Sequence, residues 1–243
     1  MPLAADFRLL IALVRGMPRR GSHGERLRHF YASQAGRYDD FRERLLAGRQ
    51  QLINFLPAAA GSRVVELGGG TGRNLDFFGA RLKSFASVEV VDLCPPLLDI
   101  ARRRFANYTN VSFVHADATT YPAHQPADCV YFSYALTMIP DWRRAIDNAL
   151  AMLKPGGILG VVDFYVSSAV PEAGLARHPA TTRALYRRWF AHDGVHLSPD
   201  HLPYLRSHLE TTHLIESRAA LPYLPWMKAP YYVFVGRKPL VTL

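Results

Sequence analysis

The chain has 243 residues, 49% of them hydrophobic and 12% aromatic, with 29 basic and 20 acidic side chains and a formal net charge of +9. That length and apolar content suit one large domain with a sizeable core and exclude a disordered basic tail. No stretch approaches the roughly 20 apolar residues of a spanning helix, and two isolated cysteines, Cys94 and Cys129, exclude a disulfide framework or a closed zinc site.

The charge is uneven along the chain. Residues 1–50 carry a net +5, residues 201–243 a net +3, and the 150 residues between them only +1. An excess at both ends argues against a uniformly basic nucleic-acid scaffold and for ends that face an anionic partner. A merely soluble basic surface is the plain alternative.

Residues 1–28 form a basic amphipathic arm. Phe7, Leu9, Leu10, Ile11, Leu13 and Val14 are apolar, Asp6 precedes them, and Arg15, Arg19 and Arg20 follow. A signal peptide has the opposite order, with its basic region first. The arm reads as an interfacial helix on an anionic membrane, or as a short helix docked on the protein's own core. Residues 29–56 read as a helical lid, with Phe30, Tyr31, Tyr38, Phe41, Leu45, Leu46, Leu52 and Phe55 at near-helical spacing and breaks at Gly36 and Gly48.

Residues 57–168 alternate strand and helix. Strands are expected at 63–67, 86–92, 111–115, 129–133 and 158–164, and helices at 72–80, 95–105 and 141–153. The last helix carries Trp142, Ala145, Ile146, Ala149, Leu150 and Leu153 on one face and stops at Lys154-Pro155-Gly156-Gly157. Such alternation predicts a mainly parallel sheet with helices on both faces. Residues 169–212, rich in histidine, arginine and aromatics, read as a substrate-side insert of short helices and loops. Residues 213–243 supply two more strands, near 213–220 and 231–237, joined by a proline-bounded loop over 221–226. The predicted fold is therefore α/β and Rossmann-like, with seven strands.

The strongest motif is Glu66-Leu67-Gly68-Gly69-Gly70-Thr71-Gly72-Arg73-Asn74, between a predicted strand and a predicted helix. Glycines there allow a tight turn and close ligand approach. A dinucleotide fingerprint counted from Gly68 would need glycine where Arg73 stands. The alternating Gly68, Gly70 and Gly72 after Glu66 instead resemble motif I of class I methyltransferases that use S-adenosylmethionine. That resemblance implies Glu66 for the methionine ammonium group, directly or through water, with Asn74 beside it. Asp92, ending the second strand, is placed to accept from both ribose hydroxyls, or else caps the following helix. In the resembled family Asp117 would meet the adenine amino group, with Leu93 and Ala118 adjacent. Ser133 and Tyr134 end the fourth strand, where ligands of open α/β sheets bind.

Further segments are similar to one family, the betaine-lipid N-methyltransferases. They are Phe30–Asp39 with Arg42, Leu45, Leu46, Gly48 and Arg49; Tyr134–Pro140; Trp189–Val195 and Leu197–Leu205; and Leu221–Pro225 with Ala229–Val233. This resemblance implies three methylations of the homoserine amine of diacylglycerylhomoserine, giving diacylglyceryl-N,N,N-trimethylhomoserine and S-adenosylhomocysteine. A separate aminocarboxypropyl transferase would supply that lipid, and the enzyme would be cytoplasmic and peripheral to a membrane.

The chemistry adds candidates. An attacking amine must be neutral, and Tyr31, Tyr38, Asp163 and His192 are conceivable partners for its proton; Tyr31, Tyr38 and Tyr134 are taken as catalytic. A quaternary ammonium suits aromatic faces, which nominates Tyr38, Tyr134, Tyr165, Trp189, Tyr204 and Tyr232, although most aromatics at this density belong to cores. Arg42 and Arg49 are candidates for the homoserine carboxylate, and Tyr38 and Arg42 also for the cofactor. Gly194 and Pro199 interrupt His192, His196 and His201, so no metal is expected. Two other readings stay open: a methyltransferase for quinones or phosphatidylethanolamine, and a methyltransferase-fold RNA-associated protein. Aromatics walling a pocket fit the C-terminal segment better than an RNA platform does, so nucleic acid is not expected as a partner.

Overall fold

The structure, a computed structural model, describes residues 20–32, 45–192, 194–221 and 224–240. The arm before residue 20, Tyr38 and Arg42 lie outside them. Among the described residues, two helices precede the sheet, α1 (His23–Ala32) and α2 (Arg49–Phe55). Gly48 starts α2 with φ 81°.

Seven strands form one sheet: β1 (Arg63–Leu67), β2 (Ser87–Asp92), β3 (Val111–His115), β4 (Ala127–Ser133), β5 (Leu153–Phe164), β6 (Glu210–Leu221) and β7 (Leu224–Arg237). Their spatial order is 3-2-1-4-5-7-6. The first five are mutually parallel, and β7 lies antiparallel between β5 and β6. The chain reverses between β1 and β4, and that reversal leaves a crevice at the carboxyl ends of the strands.

Three helices join the parallel strands or follow them: α3 (Pro95–Arg104), α4 (Trp142–Met152) and α5 (Ala180–His192); α6 (His201–His208) precedes β6. The helix expected at 72–80 is a 3-10 stretch, Arg73–Ser84, kinked at Gly79. Asp141 lies outside α4 as its N-cap and accepts from the Arg144 amide at 3.3 Å, a contact worth about 1 kcal/mol. Lys154-Pro155-Gly156-Gly157 ends α4 as expected but belongs to the start of β5.

Two apolar layers cover the sheet. On one face, Leu52, Ile53, Leu75, Phe78, Leu98 and Tyr186 pack on Val64, Val88, Tyr131 and Val233. On the other, Ala145, Ile146, Ala149, Leu202 and Leu205 pack on Val65, Val130, Leu159 and Phe234. Alternation along each strand assigns its residues to the two layers.

The expected loop at 221–226 is the end of a hairpin instead. Pairing of β6 and β7 continues to Leu221 opposite Leu224. A proline costs a ladder hydrogen bond but is tolerated near a strand end or sheet edge, so Pro225 did not end the strand. No helix among the described residues is long and apolar enough to cross a membrane.

Candidate active site

The glycine loop leaves β1 with Gly68 at φ 75° and Gly70 at φ 55°. L-residues avoid this region. A Cβ on Gly68 would also lie 2.5 Å from the Ala135 Cβ, so the loop after β4 packs directly on the loop after β1. The Gly70 amide donates to Asp92 Oδ2 at 2.8 Å and the Cys94 amide to Oδ1 at 2.8 Å. Both carboxylate oxygens are thereby oriented, and each keeps acceptor capacity for a ligand.

A cavity of about 340 Å³ opens above this loop. Of the expected cofactor residues, Gly68, Gly70, Asp92, Leu93, Asp117 and Ala118 line it, together with Tyr134. Asp117 stands exposed at the rim, and its Oδ1 accepts from the amide and hydroxyl of Thr119, both at 2.8 Å. Gly72 ends the turn at φ 67° and packs toward Phe105 and Ala101.

Three expected ligand contacts sit beneath the loop instead of in the cavity wall. Glu66 is fully buried and accepts from Asn74 Nδ2 at 2.6 Å and from the Tyr131 hydroxyl at 2.9 Å. Asn74 Oδ1 in turn faces Arg49 Nη1 at 3.5 Å, and Arg49 Nε donates to the Leu46 carbonyl at 3.2 Å. Glu66, Asn74 and Arg49 therefore form a buried chain that ties α2 to the glycine loop. Of the two forms expected for Glu66, direct or through water, a direct contact does not fit this burial, Asn74 supports the loop from beneath, and Arg49 is engaged there instead of facing a substrate carboxylate. The reason is strand parity: Glu66 points into a layer already closed by Phe78 and Tyr131. Burial raises the Glu66 carboxyl to about 7, opposed by its hydrogen bonds to Asn74 and Tyr131.

Ser133 ends β4 with its hydroxyl buried and without a hydrogen-bond partner among the described residues; it does not line the cavity. Tyr134 follows at φ 55°, the one described non-glycine residue in that region, and such strain marks functional turns. Its hydroxyl donates to the Ala47 carbonyl at 2.6 Å, and burial holds its pKa well above the usual value. Tyr134 is thus a ring wall and a tie to the lid segment. Asp163 is no freer. It is fully buried, takes the Thr137 hydroxyl at 2.7 Å and the Thr137 and Phe164 amides at 3.1 and 2.8 Å, and is raised by burial to about 7. It fixes the loop after β4. Tyr31 belongs to α1, but its side chain lies outside the described residues.

The expected aromatic cage is dispersed. Tyr232 is fully buried in the layer under α4 and α6, and Tyr165 packs against it with ring centres 5.5 Å apart while donating to Glu216. Tyr204 lies on α6, donating to Asp147 Oδ1 at 2.6 Å and standing edge-on to Trp142. None of the three lines the cavity. Trp189 is half-buried against Tyr186 and Phe190, and His192 is exposed near the end of α5. Among the described residues Tyr134 is the one aromatic in the cavity wall, and behind it Phe164 and then Phe190 meet edge to face, with ring centres 4.6 and 4.8 Å apart.

Several wall residues went unforeseen. Leu27 reaches the cavity from α1, and Met138, Ile139 and Arg144 border it beyond β4. Leu27 clusters with Cys94 and Leu97, with Leu93 and Met138 packed alongside. Its signal was available as the apolar residue in an otherwise polar helix turn, His23–Arg28.

Comparisons with known proteins follow the same lines. The family model described as a methyltransferase domain matches residues 35–214. A demethylmenaquinone methyltransferase of Clavibacter sepedonicus is 34% identical over 133 residues, covering 52% of this chain and 53% of that protein. The ubiquinone/menaquinone biosynthesis C-methyltransferase UbiE of Pseudomonas entomophila is 29% identical over 173 residues, covering 60% of this chain and 68% of that protein. The chain thus spans about half the length of the first relative and two thirds of the second. Among solved structures, the N-methyltransferase NodS of Bradyrhizobium japonicum, bound to S-adenosylhomocysteine, superposes with a TM-score of 0.66 at 19% identity, covering 90% of this chain and 100% of that one. The [4+2]-cyclase SpnF superposes with a TM-score of 0.64 at 18% identity, covering 93% and 99%. Likeness at that identity speaks for the fold alone.

Proposed function

The chain belongs to the methyltransferase-domain family, and from that premise we propose that it moves a methyl group from S-adenosylmethionine to a lipid-soluble acceptor. The ring carbon of a quinol, the reduced and nucleophilic form of a quinone, is the leading acceptor, its ring proton leaving to solvent as the methyl bond forms, and the amine of diacylglycerylhomoserine is the second. The residues present fit the cofactor. Gly68 and Gly70 leave a backbone cradle that a Cβ would strain or fill, Asp92 presents oriented carboxylate oxygens at the end of β2, and a cavity of about 340 Å³ lies above them. When bound, such a cofactor supplies a methyl group already activated on a sulfonium.

What remains for the protein is alignment and exclusion of water. Asp92 would accept from the ribose hydroxyls. Asp117 at the rim and the backbone at Ala118 would meet the adenine edge. The Glu66–Asn74–Arg49 chain holds the glycine loop against α2, and Asp163 holds Thr137, so that the Tyr134 ring stays fixed beside the reacting end. Transfer leaves S-adenosylhomocysteine.

One observation favours a flat, uncharged acceptor over a cationic one. The wall beyond β4 is mostly apolar, with Tyr134, Ala135, Met138, Ile139 and Pro140 followed by the pair of opposite charges Asp141 and Arg144, whereas Tyr165, Tyr204 and Tyr232 are not part of it. The curated relatives that act on quinones, at 34% and 29% identity, support the same acceptor. The amine reading rests on the lid, insert and C-terminal segments that resemble betaine-lipid enzymes. Labelled S-adenosylmethionine, offered with demethylmenaquinol or with diacylglycerylhomoserine in detergent micelles, separates the two. The expected result is label in the quinol. Label in mono-, di- and trimethylated lipid would establish the amine reading instead, and label in neither would overturn both.

A further inference from the structure

The hairpin of β6 and β7 is longer than the sheet it completes. β5 pairs with β7 only from Ile158 opposite Arg237 to Phe164 opposite Tyr231, whereas β6 and β7 stay paired out to Leu221 and Leu224. β4 and β5 are parallel, with Ser133 opposite Val162, so the Phe164 end of β5 is the edge that bears the cavity. The hairpin therefore overhangs that same edge. At ~3.3 Å per residue, the stretch from Leu224 to Pro230 can reach about 20 Å past it.

The chemistry of this overhang is unusual for a protein surface. Trp226, on its outer part, is 75% exposed. Tryptophan with an apolar body and one N–H donor favours a boundary between water and hydrocarbon. Ala219 and Met227 of the hairpin pack on the same apolar cluster as Tyr186 of α5, and the segment leading into α5 reaches β6, where the Ala176 amide donates to Glu216 Oε2 at 2.9 Å. On α5, Leu185 is 50% exposed, with Arg188 one turn further along the same face.

Charge settles the sign of the partner. Residues 173–192 contain Arg177, Arg183, Arg187 and Arg188 and no acidic residue; residues 217–231 contain Arg218 and Lys228 and no acidic residue. Arg177, Arg187, Arg188, Arg218 and Lys228 are exposed. Among the described residues, basic side chains from the end of the middle block and from the C-terminal block thus outnumber the neighbouring acids, Glu172 and Glu216, around two exposed apolar side chains. Basic residues beside an exposed tryptophan match an anionic lipid surface, where each charge and each apolar group adds to attraction.

We propose that the β6–β7 hairpin and the outer face of α5 dock on an anionic bilayer, with Trp226 at the headgroup level. This orientation turns the cavity edge toward the membrane, so it deepens the lipid-soluble acceptor reading and rests on it. The docking itself needs no turnover and is measured separately.

The test uses the full chain with vesicles of phosphatidylcholine alone or of phosphatidylcholine mixed with the anionic lipid phosphatidylglycerol. Sedimentation should be strong only with the anionic vesicles, and tryptophan emission should shift to the blue. Trp226→Ser should abolish most of that shift, and Arg187→Glu with Arg188→Glu should weaken binding on the order of tenfold or more. Both variants should retain wild-type turnover of an acceptor in detergent micelles. That retained turnover distinguishes lost docking from a wrong acceptor. Equal sedimentation of wild type and both variants would overturn the proposal. So would binding of single-stranded RNA, or self-association, that depends on the same residues while vesicles fail to bind.

Discussion

Two regions share the carboxyl edge of one sheet and are built on different principles. The ends of β1 and β2 are made mostly of backbone: positive-φ glycines, two amides holding Asp92, and a loop too tight for side chains. The ends of β4 and β5 are made of interlocked side chains: Tyr134 on Phe164, Phe164 on Phe190, and Asp163 clamping Thr137. A backbone site recognises one invariant ligand and tolerates little change. A site of packed aromatics can be remodelled one ring at a time. The proposed cofactor therefore rests on the first region and the proposed acceptor on the second.

The largest expected effect is at the backbone-made region. Gly68→Ala forces a Cβ into the left-handed region and against Ala135. Combined strain and overpacking of about 2–4 kcal/mol should lower affinity for S-adenosylhomocysteine on the order of 100-fold, read by titration calorimetry. Affinity within a few-fold of wild type would break the contrast.

A smaller effect tests the aromatic region. Tyr134→Phe removes the donor to the Ala47 carbonyl, a loss of about 1–3 kcal/mol if that carbonyl stays buried and unpaired. It should lower kcat/KM by about 5- to 100-fold without changing the shape of the pH–rate profile. A proton-transfer role would instead cost at least roughly 100-fold and remove a limb of that profile.

The smallest effect lies in the pH dependence of stability. Glu66 and Asp163 are raised by burial from 4.5 and 3.8 to about 7. Between those values the native chain holds protons that the unfolded chain has lost. Their contribution is therefore full below about pH 4 and is lost as pH rises through 7. Glu66→Gln removes one such titration, and denaturant unfolding from pH 4.5 to 7 should show a shallower decline than wild type. An identical slope would mean that Glu66 does not titrate as its burial requires.

The backbone-made region was also the legible one. Gly68, Gly70, Asp92 and Asp117 are local signals, since turn chemistry and strand ends show in short windows of sequence. The side-chain region depends on which face of a strand each residue takes, and on which face the cavity lies. Phe164 and Tyr231 point to one layer, Tyr165 and Tyr232 to the other. A period of two puts those pairs on opposite faces but does not say which face matters. Glu66 and Asn74 were recognised as belonging to the motif, yet their partners Tyr131 and Arg49 come from distant segments that only the assembled sheet brings together. The sheet was legible as alternation, whereas the long pairing beyond Pro225 depended on a partner strand.

The central claim is that the cavity above Gly68 and Gly70 holds S-adenosylmethionine through Asp92. Calorimetric titration of S-adenosylhomocysteine into the full chain and into Asp92→Ala tests it most directly. The expected result is one-site binding to the wild type, weakened about 10- to 100-fold in the variant because the ribose loses its acceptor and the Gly70 and Cys94 amides lose theirs. Equal affinity in both proteins, or no binding to the wild type, would contradict it.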